Sequence, residues 1–91
     1  MDDLVSVIIP TYKGSNFLSR AIDSIVNQTY KKIEIIIVDD NDPLSNERMK
    51  TEKVVSNYKA DNIKYIKHTQ NMKGAVARNT GIAYSNGQYI C

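Results

Sequence analysis

The sequence predicts an α/β protein: a mostly parallel sheet with helices on both faces. Three observations lead there. Apolar, β-forming runs at Leu4–Pro10, Ile33–Val38 and Ile63–His68 alternate with stretches of helical spacing. The connections between those runs are long enough for the helical crossovers that parallel strands require. Within "IEIIIVDD", Ile35–Val38 is continuously apolar up to the aspartates, as suits a strand buried on both faces rather than one that faces water.

Each element has its own signal. "LVSVIIP" reads as strand one, closed by Pro10. "GSNFLSRAIDSIVNQ" sets Leu18, Ala21, Ile22, Ile25 and Val26 on one helical face and Arg20, Asp23 and Asn27 on the other, with Ser15 or Asn16 as the expected cap. Ile33–Val38 is strand two. "PLSNERMKTEKVVSNYKA" is a polar second helix with a weaker stripe through Met49, Val54, Val55 and Tyr58. "IKYIKH" alternates, as a strand near a sheet edge does, and His68 is expected to end it as a surface residue. "KGAVARNTGIAYS" is a short helix whose Ala75, Ala77, Gly81 and Ala83 suit close packing on a sheet. "NG" at Asn86 and Gly87 signals a turn, and "QYIC" opens a fourth strand. The resulting β-α-β-α-β-α-β series predicts a Rossmann-like, three-layer α/β/α arrangement of about four strands in the order 3-2-1-4, with the switch point between strands one and four. Ligands of such sheets bind outside the carboxyl ends of the strands, at that switch point.

Composition narrows the function. The 91 residues suit one domain or part of one. A net charge of +2 with dispersed lysines argues against a nucleic-acid or membrane-surface partner. The single cysteine, Cys91, forms no internal disulfide and fits a reducing, cytoplasmic compartment. "MDDLVSVIIP" reads as neither a secretory signal nor a membrane span. His68 has no cysteine or histidine partner, so a zinc site lacks support. There is no G-x-G-x-x-G after strand one and no P-loop, which argues against nicotinamide, flavin and P-loop chemistry.

Three stretches remain for chemistry. "PTYKGSNF", after strand one, offers the Tyr12 ring for stacking on a base and backbone amides near a helix amino terminus; Tyr12 as a mere cover for the sheet end is the competing reading. In "DDNDP", Asn41 and Asp42 read as loop and turn residues before Pro43. Asp39 and Asp40 stand at the carboxyl end of strand two, where an acidic pair can hold a metal or accept from imide-like donors, or simply cap a turn. "NMKGAVARNTG" combines Gly74, Lys73, Arg78 and a helix start, which suits an anion such as a diphosphate, against the plain alternative of solvated cations.

Taken together, "VSVIIPTYKGSNFLSRAIDSIVNQTYKKIEIIIVDDNDP" resembles the opening of glycosyltransferase family 2, inverting enzymes with a GT-A type fold. "NMKGAVARNTGIAYSNGQYI" resembles the stretch before that family's metal-binding D-x-D segment. The resemblance rests on Pro-Thr-Tyr, Asn-Gln-Thr-Tyr, Val-Asp-Asp, Ala-Arg-Asn-x-Gly and Gly-x-Tyr-Ile in this order and spacing, and runs from about Val5 to Cys91. It implies that Pro10, Thr11 and Tyr12 line a nucleotide base, that Asp40 accepts a hydrogen bond from it, that Asp39 helps to shape the pocket, and that Lys73 and Arg78 lie near the diphosphate. "NDPLSNERMK" departs from the family's Gly/Ser-rich continuation after the aspartates.

The D-x-D segment, acceptor pocket and catalytic base are expected beyond Cys91, so residues 1–91 are expected to form the nucleotide-sugar-binding half of the domain with no catalytic or metal residue assigned. The resemblance further implies a complete enzyme that uses Mn or Mg and a UDP-sugar. It would act on a saccharide or lipid-linked hydroxyl acceptor in cell-surface polysaccharide or glycoconjugate synthesis, in the cytoplasm or peripherally at the inner face of the membrane. The 91-residue chain alone is expected to be inactive and to self-associate through the uncovered edge of strand four. Two rival readings stand beside this one. One is a non-enzymatic nucleotide-binding or assembly module. The other is a receiver-like signalling domain, which would want its acid pair after strand one and an aspartate after strand three, where this chain has Pro-Thr-Tyr and Lys-His.

Overall fold

The computed structural model describes residues 3–28, 32–87 and 89–90. Thr29 and Tyr30 of the Asn-Gln-Thr-Tyr motif, and Gln88 and Cys91 of the expected fourth strand, lie outside the described residues. The elements run β1 (Val5–Thr11), α1 (Ser15–Val26), β2 (Ile33–Asp39), α2 (Asn46–Ser56), β3 (Ile63–Lys67), α3 (Gly74–Ala83) and β4 (Tyr89–Ile90). All pairings are parallel and the order is β3-β2-β1-β4, with β4 present as two residues opposite Val5 and Ser6.

Side chains alternate along a strand, and β2 uses both faces. Ile33, Ile35 and Ile37 pack with Leu18 and Ile22 of α1 and with Val54, Val55 and Tyr58 of α2. Ile36 and Val38 pack on the other face with Ile8 and Ala77 of α3. All seven β2 residues are buried, Ile35–Val38 as their unbroken apolar run predicts and Glu34 and Asp39 with them. The close approach of α3 explains one small residue: a Cβ on Gly81 would meet Ile8, with Cγ1 at 3.1 Å and Cδ1 at 3.2 Å. Ala77 joins it at the sheet, whereas Ala75 and Ala83, expected to pack there too, are exposed.

Strand β1 continues through Pro10, where the sequence suggested a stop. Val5 N donates to Lys32 O and Thr11 O accepts from Asp40 N, so the odd residues of β1 turn their backbone polar groups toward β2. The nitrogen of Pro10 therefore points to the β4 side. Among the described residues β4 pairs with Val5 and Ser6, and none of them takes a donor from Pro10.

Two helix expectations need correction. The N-cap of α1 is Gly14, not Ser15 or Asn16. Gly14 O accepts from Phe17 N and Leu18 N, and the Ser15 hydroxyl is taken by Glu47 of α2 at 3.1 and 3.3 Å. Glu47 Oε1 also accepts from Ser15 N at 3.3 Å, so an acid from another helix serves the positive end of α1. Of the stripe expected for α2, Val54, Val55 and Tyr58 pack on the core, but Met49 is 65% exposed and Arg48 and Thr51 take the buried positions in its place. The stripe turned toward polar residues because the neighbouring strand ends present polar groups. Ser45 caps this helix by accepting from Arg48 N at 3.1 Å.

At the amino-terminal end of the sheet, buried Glu34 gathers the approach to β4. It accepts from the Ser6 hydroxyl and Asn86 N at 2.5 Å each and pairs with Lys64 Nζ at 3.1 Å, while Gly87 N donates to Ser6 Oγ at 2.8 Å. Gly87 sits in this clamp because a Cβ there would come within 2.7 Å of Leu4 O and 2.8 Å of Ser6 N. Burial alone would raise the Glu34 pKa. The Ser6 hydroxyl, the Asn86 amide and Lys64 outweigh it and hold the pKa below its ordinary value.

Candidate functional site

Past the carboxyl ends of β1 and β2, on the α3 face, lies a cleft of about 410 Å³. That is within the range of small-molecule sites, about 300–1,000 Å³. Pro10, Thr11, Tyr12 and Asp40 line one side; Asn71, Lys73, Gly74 and Ala77 line the other. Tyr12 is 52% exposed, its ring at the rim with Lys13 Nζ 5.3 Å from the centroid. Five of the seven residues expected at a nucleotide, Pro10, Thr11, Tyr12, Asp40 and Lys73, thus share one cleft.

The two others do not line it. Arg78 is exposed on α3, one position beyond the inward-facing Ala77. Asp39 goes to the opposite side of the sheet from Asp40, because consecutive strand residues alternate. There it is fully buried, with Oδ1 accepting from Asn41 N at 3.0 Å and Asn41 Nδ2 at 2.8 Å, and Oδ2 accepting from the Tyr65 hydroxyl. Burial first, and then the hydrogen bond and charge of Asp39, push the Tyr65 pKa far above its ordinary range and make it a permanent donor. Arg48 Nε lies 3.1 Å from the same Oδ2, near enough for charge attraction although its N–H has no hydrogen-bond partner. Arg48 Nη2 donates to Asn41 O at 2.7 Å and His68 O at 2.6 Å, tying the ends of β2 and β3. Asn41, expected as a plain loop residue, is 1% exposed. Its Oδ1 accepts from Lys13 N at 2.7 Å, so it fastens the loop after β1 to the loop after β2. Asp42 behaves as a turn residue, its carboxylate accepting from Leu44 N at 3.3 Å.

Asp40 organises the cleft. Its Oδ1 accepts from Met72 N at 2.8 Å and its Oδ2 from Lys73 N at 3.0 Å. Its carbonyl accepts from Asn71 Nδ2 at 3.0 Å. His68 Nδ1 stands 2.8 Å from Oδ1, and its Nε2 is 2.9 Å from Thr80 Oγ1. The expectation of a surface histidine is therefore corrected: its side chain is only 11% exposed, enclosed between Asp40 and α3. Lys73 adopts φ 77° and ψ 162°, a conformation that favours glycine. Two contacts hold it there, the bond from its own N–H to Asp40 and that from Ala77 N to its carbonyl at 3.0 Å.

Among the described residues, no group of three or more His, Cys, Asp or Glu side chains is placed to hold a metal ion. Each oxygen of Asp39 and Asp40 already accepts from a protein donor, and the two carboxylates face opposite sides of the sheet, so the pair does not fit a divalent-cation site. Among the described residues, no helix is long and apolar enough to cross a membrane.

A parallel sheet with this strand order and a cleft at its switch point defines the class: a Rossmann-like ligand-binding α/β unit. The comparisons with known proteins give the family. The model of "Glycosyl transferase family 2" matches residues 6–91. An uncharacterized glycosyltransferase of Rickettsia bellii is 44% identical over 87 residues, spanning 96% of this chain and 12% of the relative. The Escherichia coli UDP-Glc:alpha-D-GlcNAc-diphosphoundecaprenol beta-1,3-glucosyltransferase WfgD is 36% identical over 91 residues, spanning 99% of this chain and 34% of the relative. Among solved structures, a mannosyltransferase from Pyrobaculum calidifontis, in complex with GDP-Man and Mn²⁺, superposes with a TM-score of 0.81 at 22% identity. That match covers 97% of this chain and 26% of the other, and it shows the likeness of fold. The chain belongs to glycosyltransferase family 2, and it spans about a third or less of the length of these relatives.

Proposed function

We propose that the complete protein transfers a sugar from a nucleoside diphosphate sugar to a hydroxyl acceptor, with inversion, and that residues 1–91 supply its nucleotide pocket. The observation that carries this reading is Asp40, a carboxylate on the cleft with one acceptor position to spare. A carboxylate has about four lone-pair sites. Met72 N, Lys73 N and His68 Nδ1 occupy three of them. An ionised carboxylate only accepts, so the remaining site suits a base that presents an N–H. Uracil and guanine do so at the matching edge, whereas cytosine and adenine present a bare ring nitrogen. The names of the relatives fit this: one uses UDP-Glc, and the solved neighbour holds GDP-Man. For this chain we favour a uridine nucleotide, with Tyr12 stacking on the base and Lys73 toward the diphosphate.

The Mn or Mg ion, the acceptor site and the base that deprotonates the acceptor hydroxyl are proposed to lie beyond Cys91. The acceptor class is a saccharide or a lipid-linked saccharide of cell-surface polymer synthesis, made on the cytoplasmic side of the membrane. On this reading the 91-residue chain binds nucleotide without turnover, and its β4 edge pairs with another copy.

Calorimetric titration with uridine, guanosine, cytidine and adenosine diphosphates tests the pocket. A charge-assisted hydrogen bond is worth about 1.5–3 kcal/mol, or roughly tenfold to a hundredfold in affinity. Asp40→Asn, which keeps an acceptor but adds an N–H, should erase most of the uridine preference over cytidine. Equal affinity of the unaltered chain for all four would sink the assignment of Asp40 to the base.

A further inference from the structure

His68 lies beside the proposed base contact without touching the cleft itself. An ionised Asp40 can only accept, so His68 Nδ1 carries the proton of their 2.8 Å bond. The ring is seated from its far side by Thr80 Oγ1, 2.9 Å from Nε2, and that hydroxyl is in turn 3.0 Å from Val76 O on the previous turn of α3. The backbone of His68 is fixed as well: its N–H donates to Asp39 O at 2.9 Å, and its carbonyl takes Arg48 Nη2. A part-buried imidazole hydrogen-bonded at both ring nitrogens joins the Met72 and Lys73 amides in holding its partner carboxylate in one orientation.

We propose that His68, seated by Thr80, is a positioning residue for base selection. It occupies the lone pair of Oδ1 that the Met72 amide leaves free and, beside the Met72 and Lys73 amides, adds a third anchor against turning of the Asp40 carboxylate. The single acceptor left on the cleft then points one way, and a cytosine ring nitrogen meets it with no proton between them. With Nδ1–H removed, only the Met72 and Lys73 amides hold the carboxylate; Oδ1 regains a free lone pair that can take a water, and the site tolerates cytosine better. The proposal rests on the reading of Asp40 as the base contact.

The test is calorimetric titration of uridine and cytidine diphosphates into the unaltered chain and three variants. His68→Asn places an amide N–H near the position of Nδ1; His68→Gln places one near Nε2 and leaves Oδ1 with the Met72 amide alone; Thr80→Val removes the seat and keeps the shape. The unaltered chain should prefer uridine by about tenfold or more. The Asn variant should keep most of that ratio. The Gln variant should bring it to within about twofold, and Thr80→Val should fall between, since the contact of Oδ1 survives but is no longer fixed. A full uridine preference in His68→Gln overturns the proposal and leaves the role of Asp40 standing. Equal loss in the Asn and Gln variants also overturns it, because filling space would then be the whole role. No preference in the unaltered chain overturns the base reading and this proposal with it. If His68→Gln fails to fold, Thr80→Val decides, and an unchanged ratio there refutes the proposal.

Discussion

Lys73 and Gly74 are in the opposite order from what the backbone asks. Lys73 holds φ 77° and ψ 162°, while Gly74 has no positive φ and open space where a Cβ would stand. A non-glycine residue in such a region costs about 1–3 kcal/mol. Lys73→Gly removes that cost but frees the unfolded chain, which returns about 0.4–1 kcal/mol. The net expectation is a stabilisation of about 1 kcal/mol, or roughly 4–8 °C in Tm for a domain of this size. Lys73→Ala is the control: it loses the same ammonium and keeps the strain, so its stability should stay near that of the parent. Gly74→Ala, at the first position of α3, should add about 0.4–1 kcal/mol of its own. Urea unfolding followed by circular dichroism reads all three. Binding of uridine diphosphate should move the other way, weakening equally in Lys73→Gly and Lys73→Ala as the cleft loses its cation. A Lys73→Gly chain no more stable than the Lys73→Ala chain would refute the strain argument.

Three further outcomes follow from the packing. The depressed Glu34 pKa means that its clamp contributes fully above the ordinary value of 4.5 and is lost as pH falls through the lower folded value. Stability measured from pH 7 to pH 3 should therefore drop more steeply in the parent than in Glu34→Gln. Gly81→Ala forces a methyl into the γ-carbons of Ile8 and should cost about 1–3 kcal/mol; in an Ile8→Ala background, which removes all the contacting carbons, the same substitution should cost less in a thermal melt. Arg48→Met leaves Asp39 buried without its cation and two strand-end carbonyls without their donor, a loss of about 3–5 kcal/mol. Asp39→Asn added to it should restore part of that loss in a denaturant titration.

Most of the sheet could be read from the sequence because its signals are local. The unbroken run Ile35–Val38 announces a strand covered twice, and the tight residues Ala77 and Gly81 announce a helix lying close. The positions of Pro10, Thr11, Tyr12 and Asp40 followed from strand ends alone. What escaped is what depends on partners far along the chain. His68 looked like a surface residue because nothing near it in sequence says that Asp40, 28 residues earlier, accepts from its ring. Arg48 and Asn41 looked like ordinary helix and loop residues for the same reason. The cap of α1 was missed because Ser15 has a better partner in Glu47, 32 residues away. The different fates of Asp39 and Asp40 were within reach: strand period alone sends neighbours to opposite faces.

That alternation has a consequence for anyone wishing to retune the protein. The sheet insulates its two aspartates, so one can be varied while the other stays. A library randomised at Asp40, His68 and Thr80 explores new base preferences on the α3 side. It leaves Asp39, Arg48 and Tyr65 to hold the strands from the other side. A library that also varied Asp39 would fill with chains that fail to fold and would hide the rare ones that recognise a new nucleotide.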